Sequence, residues 1–174
     1  MYIVIPAYEP DTRLIQVVQD ITLKLPKARI IVVNDGSGPR YDDFYDETAL
    51  FGATVLKHPI NKGKGAALKT AFAHIQEEVV NQHLPAQPIV TVDSDGQHLI
   101  QDIVRVAQAT EENPSHLILG ARAFVGKVPA RSRFGNKVTA GLFRIVTGLK
   151  VTDTQTGLRG MSTDLIPWLL SLDG

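Results

Sequence analysis

The sequence predicts an α/β fold built on a mainly parallel sheet, and three observations support this prediction. Short segments rich in Val and Ile alternate with longer segments whose apolar residues recur at helical spacing. Most of the short segments end at Gly, Pro, Asn or Asp, which is typical of strand ends. The 174 residues suffice for one domain with a sizeable core. Strand–helix–strand units of this kind form right-handed crossovers between parallel strands.

The first part of the chain contains three predicted strands and one helix. The strands lie at 2–5, where Pro6 ends the apolar run, at 30–33 and at 53–56. Asp11 is a predicted N-cap because its side chain can accept from the first free amides of a helix. The residues that form one apolar face of that helix are Leu14, Val17, Val18, Ile21 and Leu25.

The middle of the chain continues the alternation. A helix is predicted over 64–80, a strand over 88–92, a helix around Ile103, Val104 and Ala107, and a strand over 117–119. The apolar face of the helix over 64–80 consists of Leu68, Ala71, Phe72, Ile75 and Val79.

The last part of the chain is predicted to hold a long functional loop at 121–132 and a helix at 133–147. Ser162-Thr163-Asp164 is a predicted cap for a short final helix, in which Pro167 fits only the first turn. Because no closing element follows, we expect one domain over 1–174, truncated at its C-terminus. Packing preferences place Trp168 in the core and put three aromatic residues in a surface loop, namely Tyr41, Phe44 and Tyr45.

The composition is that of a globular protein without net charge. Charged residues make up 21% and apolar residues 44%, and 18 basic side chains balance 18 acidic ones. This balance argues against a nucleic-acid partner, which would require a basic surface. No apolar stretch approaches the roughly 20 residues that span a bilayer, and no leader pattern precedes the first strand. We therefore expect any membrane role to be peripheral or to lie outside this chain. The absence of Cys excludes disulfides and thiolate chemistry.

The most informative polar motif is Asp93-Ser94-Asp95-Gly96-Gln97-His98, directly after the predicted strand 88–92. On extended backbone the side chains of Asp93 and Asp95 point the same way, with Cα atoms roughly 6.5 Å apart. Converging carboxylates repel each other unless a cation or a proton lies between them. A hard ion such as Mg²⁺ binds one or two carboxylates and fills its other positions with water and substrate phosphates. The alternative is a simple turn, since Asp, Ser and Gly are common turn formers.

Similar polar clusters follow other predicted strands. They are 6–9, 34–37 and 120–122, in addition to the aspartate motif. Because the carboxyl ends of parallel strands meet at one edge of a sheet, we expect these clusters to converge there. Turn chemistry alone does not require charged residues in all four clusters, so the sequence predicts a ligand site at this edge.

The glycine-rich segment 61–70 is interpreted as a helix start that suits an anion. It is similar to a phosphate-binding P-loop, but Leu68 stands where that loop requires Gly before its Lys-Thr pair. Free amides at the helix N-terminus, with Lys62 and Lys64 nearby, favour a phosphate group. The alternative is flexible capping of the helix.

A phosphatase of the haloacid dehalogenase type is an alternative chemistry for Asp93 and Asp95. In that chemistry the first Asp is the nucleophile, the second is the general acid, and a hydroxyl residue follows. Here Gln97 and His98 follow, and the motif lies in the middle of the chain. His98 is close to the two carboxylates along the chain, so it either reaches a phosphate or has a structural role. The other four histidines are predicted to be surface or packing residues.

The ordered series of motifs resembles glycosyltransferase family 2, and within it the branch of dolichol-phosphate mannosyltransferases and bactoprenol glucosyltransferases. The resemblance covers nearly the whole chain. It implies a GT-A fold, which is a Rossmann-like α/β/α sandwich, and an inverting transferase that uses a UDP- or GDP-linked sugar with Mg²⁺ or Mn²⁺. The motifs that carry it are Ile5-Pro6-Ala7-Tyr8, Val33-Asn34-Asp35-Gly36-Ser37, Asn61-Lys62-Gly63-Lys64-Gly65-Ala66-Ala67, the aspartate motif, Gly120-Ala121-Arg122 and Asp153-Thr154-Gln155-Thr156-Gly157-Leu158-Arg159.

The resemblance also implies roles for single residues. Asp95 would be the more direct metal ligand, with Asp93 and Gln97 assisting. Asp153 would face the acceptor, while Arg122 with Arg131 or Arg133 would hold the diphosphate or an acceptor phosphate. Further donor contacts are expected from Pro6, Ala7, Tyr8 and Glu9 around the nucleoside, Asp35 at the base, and Lys64 and Ser94 near the phosphates.

The acceptor implied by the resemblance is a polyprenyl phosphate or a cell-envelope glycan, which would place the enzyme in the cytoplasm, at the inner face of the membrane. A hydroxyl acceptor needs a base such as Asp153, whereas a phosphate oxygen is already anionic and needs none. A module that binds a nucleotide sugar without turnover is a further alternative. The sequence leaves the oligomeric state open.

Overall fold

The computed structural model describes residues 1–120 and 157–172. The strands in this part of the chain are β1 (Tyr2–Ala7), β2 (Arg29–Asn34), β3 (Thr54–Lys57), β4 (Pro88–Thr91), β5 (Ile118–Leu119) and β6 (Arg159–Ser162). They form one sheet in the order β3-β2-β1-β4-β6-β5. Strands β1 to β4 run parallel, and β6 runs antiparallel to both β4 and β5. The predicted α/β fold with a mainly parallel sheet is confirmed.

Helices cover both faces of the sheet, which makes the domain an α/β/α sandwich. The helices in the described residues are α1 (Thr12–Lys24), α2 (Asp42–Leu50), α3 (Lys64–Asn81), α4 (Ile100–Glu112) and α5 (Ile166–Ser171), with short 3-10 turns at Pro39–Tyr41 and Thr163–Leu165. Successive residues of a strand point to opposite faces, so Ile3 packs with α1, α2 and α4, whereas Val4 packs with α3 and α5. Strand β1 lies inside the sheet, is buried on both faces and consists mainly of apolar residues.

Strand β1 extends past Pro6, where the sequence analysis ended it. The carbonyl of Val4 accepts from Val92 on the β4 side, while the carbonyl of Ala7 accepts from Asp35 on the β2 side. Because alternate residues face opposite neighbours, Pro6 faces the β4 side, beyond the last paired residue of β1 on that side, Val4. The missing N–H of Pro6 therefore interrupts no ladder.

The aromatic predictions were wrong in two places. The segment expected to be a surface loop forms α2, and the side chains of Tyr41 and Tyr45 are buried. Asp42 and Asp43 stabilise the first turn of α2 through the helix dipole, and the many acidic residues conceal its apolar positions. Trp168, expected in the core, has an exposed fraction of 55%.

The two helix caps predicted from the sequence are present in the structure. Asp11 caps α1 by accepting from the Arg13 amide at 2.9 Å, as predicted. Ser162 accepts from the Asp164 amide at 3.2 Å, ahead of the short helix α5 with Pro167 in its first turn. Strand β6 does not correspond to any strand predicted from the sequence. The predicted loop at 121–132 and helix at 133–147 lie outside the described residues.

No helix in the described ranges is long and apolar enough to cross a membrane.

Candidate active site

The polar clusters after β1, β2 and β4 meet in a cavity of about 320 Å³ at the carboxyl edge of the sheet. The chain crosses from β1 to β2 on one side, whereas β4 lies on the other side of β1. This change of direction is the place where open α/β sheets bind ligands. Residues that line the cavity are Pro6, Ala7, Tyr8, Asp35, Asn61, Gly63, Lys64, Ala67, Asp93, Ser94 and Asp95. The structure thus brings together most of the predicted donor contacts.

Asp93 is held on both sides by cationic or donor groups. Its Oδ1 accepts from the ammonium of Lys64 at 2.5 Å, and its Oδ2 accepts from Nε2 of His98 at 3.2 Å. The hydrogen bond from His98 lowers the pKa of the Asp93 carboxyl, burial opposes this effect, and Lys64 lowers the pKa further, so that it lies well below the ordinary value. Asp93 is therefore a fixed anion at neutral pH, with a directed orientation.

Gly157 packs its backbone directly against the Asp93 carboxylate. A Cβ at position 157 would lie 1.9 Å from Oδ2 of Asp93. The hydroxyl of Thr91 donates to the Gly157 carbonyl at 2.7 Å, which fixes the backbone at this point. Only glycine fits here, and the predicted Asp153 precedes it by four positions.

We expect Gly157→Ala to destabilise the domain by about 1 to 3 kcal/mol, the usual cost of overpacking, because the added methyl group must displace Asp93. The measurement is thermal unfolding together with nucleotide affinity, which should fall as Asp93 moves. Gly65→Ala is the matched control, since a Cβ there meets nothing within 4 Å and alanine favours the helix. A Gly157→Ala protein as stable as wild type would contradict the close packing.

Asp95 lies at the rim of the cavity and also borders a second groove between α1 and α4. Its Oδ1 accepts from the backbone amide of Gln97 at 3.1 Å. The turn considered in the sequence analysis is therefore present, and it directs the carboxylate without neutralising it. Gln97 is exposed and contacts Asp95 through this amide, so its proposed assistance to a metal stays a prediction.

Asp35 lines the cavity, and its carboxylate also holds the loop beside it. Its Oδ1 accepts from the Lys62 amide at 2.9 Å, and its Oδ2 accepts from the Gly63 amide at 2.8 Å. Gly36 allows this loop to approach, because a Cβ there would lie 2.1 Å from the carbonyl carbon of Ile60. Asp35 thus has a structural role in addition to the predicted base contact, which stays a prediction.

His58 is a site residue that the sequence analysis placed among surface or packing residues. It is buried, its Nδ1 donates to Asp35 Oδ1 at 2.7 Å, and its Nε2 is hydrogen-bonded to Thr70 Oγ1 at 2.8 Å. His58 therefore connects the carboxylate of Asp35 to helix α3. It directly follows β3, so the rule that polar residues at strand ends form the site would have identified it.

A chain of hydroxyl groups fixes the loop after β1. The hydroxyl of Tyr45 donates to the Ala7 carbonyl at 3.1 Å, and burial raises the pKa of this phenol to about 12. Ser37 Oγ therefore donates to Tyr45 at 2.8 Å and accepts from the Glu9 amide at 2.9 Å. Tyr8, exposed by 51%, is left at the cavity mouth, where its ring is available to a ligand. Glu9 is exposed and does not line the cavity in the described part of the chain.

The donor set fits a divalent cation that arrives with its ligand. Within residues 1–120 and 157–172 there is no group of three or more His, Asp or Glu side chains that could enclose a metal ion. Two carboxylates beside an open, polar cavity match Mg²⁺ or Mn²⁺, which bind one or two carboxylates and complete their shell with water and phosphate oxygens. The site therefore fits a metal shared with a bound diphosphate.

Comparison with known proteins identifies the family. The sequence profile described as glycosyl transferase family 2 matches residues 2–166 of the chain. The chain belongs to glycosyl transferase family 2. This match spans every described element that lines the cavity, and it confirms the resemblance predicted from the motifs.

Curated proteins with related sequences are longer than this chain. A UDP-N-acetylglucosamine–dolichyl-phosphate N-acetylglucosaminyltransferase of Methanococcus voltae is 28% identical over 93% of the chain and 69% of its own length. A dolichyl-phosphate beta-glucosyltransferase of Trichomonas vaginalis is 26% identical over 95% of the chain and 52% of its own length. The chain thus spans about half to two thirds of these relatives.

Solved structures show the same fold. Mannosyl-3-phosphoglycerate synthase from Rubrobacter xylanophilus superimposes with a TM-score of 0.67 at 16% identity, and the match covers 94% of this chain and 54% of that one. The GT-A-type sandwich implied by the family 2 resemblance is therefore confirmed.

Four predicted residues of the family 2 site lie outside the described residues. They are Arg122, Arg131, Arg133 and Asp153. Their roles stay predictions.

Proposed function

We propose that the domain transfers a sugar from a UDP- or GDP-linked donor to an acceptor oxygen, with inversion at the anomeric carbon and with Mg²⁺ or Mn²⁺ as cofactor. The observation that carries the proposal is the convergence of Asp93, Asp95 and Lys64 on one cavity at the carboxyl edge of the sheet. A nucleotide diphosphate with its metal ion requires carboxylates that bind the cation and a positive group that binds a phosphate. Asp93, Asp95 and Lys64 provide these groups. The M. voltae relative is named for a UDP-linked donor.

The residues of the chain would act on the diphosphate end of the donor. Lys64 is the first residue of α3, so its ammonium and the free amides of the first turn face the same anion. When bound, the cation would stabilise negative charge on the departing diphosphate as a Lewis acid. The acceptor oxygen forms a bond to the anomeric carbon on the face opposite the bond that breaks, and the electron pair of that bond leaves with the diphosphate.

The acceptor in this proposal is a polyprenyl phosphate or a cell-envelope glycan. Two relatives are named for dolichyl-phosphate acceptors. A lipid acceptor would place the enzyme at the cytoplasmic face of a membrane. A phosphate acceptor would be held by Arg131 or Arg133, since arginine binds phosphate with paired hydrogen bonds.

The test is a transfer assay with labelled UDP- and GDP-sugars, a polyprenyl phosphate in detergent, and either Mn²⁺ or EDTA. The proposal expects a labelled lipid product with Mn²⁺ and none with EDTA. Covalent trapping of an aspartyl phosphate at Asp93 would support the phosphohydrolase instead, although family membership argues against it. Nucleotide binding without any transfer in the full-length protein would favour the binding module.

Asp153→Asn in the full-length protein is expected to abolish transfer to a hydroxyl acceptor while nucleotide affinity stays near wild type, a pattern that reports lost transition-state stabilisation. Asp164→Asn is the matched control, because Asp164 is exposed and adjoins Ser162, which pairs with Pro88 at the opposite edge of the sheet. An undiminished rate in Asp153→Asn would point to a phosphate acceptor that needs no base, and would make Arg131 and Arg133 the residues to replace.

A further inference from the structure

Lys64 forms an ion pair with Asp93, a residue that is itself expected to bind a metal ion. The two groups lie 2.5 Å apart, with Lys64 exposed by 52% and Asp93 by 23%. The second oxygen of Asp93 is engaged by His98, whose side chain is buried. Both oxygens of Asp93 are therefore occupied before any ligand binds.

A divalent cation and the Lys64 ammonium would compete for the same carboxylate. Like charges at contact distance repel strongly, and the partial burial of Asp93 reduces the screening by water. Binding of a metal ion to Asp93 and Asp95 thus requires the ammonium to move away. His98 offers no such release, since its ring is packed in the interior.

A donor bound in the cavity would offer Lys64 a second anionic partner. Its side chain is long and has three rotatable donors. It begins α3, whose first amides lack partners within the helix, so a diphosphate in the cavity would lie beside both. The ammonium can then leave Asp93 for a phosphate oxygen without losing an ionic partner.

We propose that Lys64 acts as a placeholder cation that couples metal binding to donor binding. Without nucleotide it occupies Asp93 and weakens the affinity of the site for a divalent ion. With nucleotide it moves to the diphosphate and leaves Asp93 to the metal. This inference rests on the proposed function, because it assumes a diphosphate ligand, and it adds that metal and nucleotide bind with positive coupling through one side chain.

The test is a Mn²⁺ titration followed by electron paramagnetic resonance, which measures free Mn²⁺. Wild type, Lys64→Met and Lys64→Arg are each titrated alone and then with UDP or GDP. In the absence of nucleotide, Lys64→Met should bind Mn²⁺ roughly tenfold more tightly than wild type, within the usual range of coupling between sites. Nucleotide should improve Mn²⁺ affinity much less in Lys64→Met than in wild type. Lys64→Arg keeps a cation and should behave as wild type does.

Lys27→Met is the control for a change in net charge. Lys27 lies in the turn before β2, at the end of the sheet opposite the cavity, and its side chain is exposed, so its loss should leave Mn²⁺ affinity nearly unchanged. Lys64→Met with unchanged or weaker Mn²⁺ affinity would overturn the inference, and so would equal tightening in Lys27→Met. If wild type binds Mn²⁺ but neither nucleotide, the proposed function fails, while the nucleotide-free comparison still decides whether Lys64 competes with the metal.

Discussion

Asp35→Ala is expected to destabilise the domain by about 3 kcal/mol or more, because it removes the acceptor of several buried donors and each unsatisfied buried donor costs about 1 to 3 kcal/mol. The Asp35 side chain is exposed by 5% and that of His58 by 7%. Alanine would leave Nδ1 of His58 and the amide of Lys62 without their acceptor, while the Gly63 amide would keep only Oδ1 of Asn61. A buried donor without a partner is costly. Thermal unfolding should shift down by roughly 10 °C for a chain of this size.

Asp42→Ala is the matched control for this prediction. The Asp42 carboxylate accepts from the Lys57 ammonium at 2.7 Å, but Asp42 is exposed by 40% and Lys57 by 53%. An exposed ion pair contributes no more than about 1 kcal/mol, so Asp42→Ala should unfold close to wild type. Equal unfolding temperatures for Asp35→Ala and Asp42→Ala would show that the buried carboxylate does not hold the loop.

The effect of Asp35 on stability should depend on pH. Burial raises the pKa of its carboxyl, but hydrogen bonds from the Lys62 amide, the His58 ring and the Gly63 amide lower it more, so the pKa lies below its ordinary value. Because the folded-state pKa is depressed, the stabilisation is present above the unfolded-chain value of roughly 3.9 and is lost as pH falls through the folded-state pKa. The difference between wild type and Asp35→Ala should therefore shrink as the pH falls below about 4.

Asp95→Asn is expected to have a large effect on activity, lowering the transfer rate by roughly 100-fold, a size typical of removing one electrostatic stabiliser of the transition state. Both oxygens of Asp93 are engaged by side chains, whereas Asp95 accepts from the backbone amide of Gln97. Asp95 is therefore better placed to bind the cation that arrives with the diphosphate. Asparagine keeps the shape and this hydrogen bond but removes the charge. The measurement is the initial rate at saturating Mn²⁺.

Two further variants, Asp93→Asn and Asp102→Asn, are the comparisons for Asp95→Asn. Asp93→Asn should weaken Mn²⁺-dependent nucleotide binding less than Asp95→Asn does. Asp102→Asn removes an exposed carboxylate that pairs with Arg105 on α4, and it should leave nucleotide binding unchanged. Negligible losses in both Asp93→Asn and Asp95→Asn would mean that these aspartates serve only the turn.

The convergence of the polar clusters on one site could be predicted from the sequence, because it follows from the parallel arrangement of the strands. Tyr8, Asp35 and Asp93 each come after an apolar strand, and a parallel sheet brings such positions to one edge. The local pattern of β-branched residues was enough to locate these strands. The ion pair of Lys64 with Asp93 could not be predicted from the strands alone, because it depends on how the start of α3 approaches the end of β4.

The remaining parts of the site depend on contacts between distant positions that leave no periodic pattern. Strand β6 contains Met161 as its one large apolar residue, and it is held in the sheet by pairing with β4 and β5 rather than by its own composition. The contact of Gly157 with Asp93 joins positions 64 residues apart. Tyr45 is buried, and its hydroxyl is hydrogen-bonded to Ser37 and Ala7. The acidic residues around Tyr45 along the chain gave no indication of this burial.

Calorimetric titration of the wild-type chain with UDP and with GDP, each in Mn²⁺ and in EDTA, tests most directly whether this cavity binds a nucleotide diphosphate together with a divalent cation. We expect at least one nucleotide to bind at one site per chain, and Mn²⁺ to tighten binding by roughly tenfold or more. Asp95→Asn should remove the gain from Mn²⁺. Binding that is equally tight in EDTA and in Mn²⁺, or no binding of either nucleotide, would contradict a site shared by nucleotide and metal.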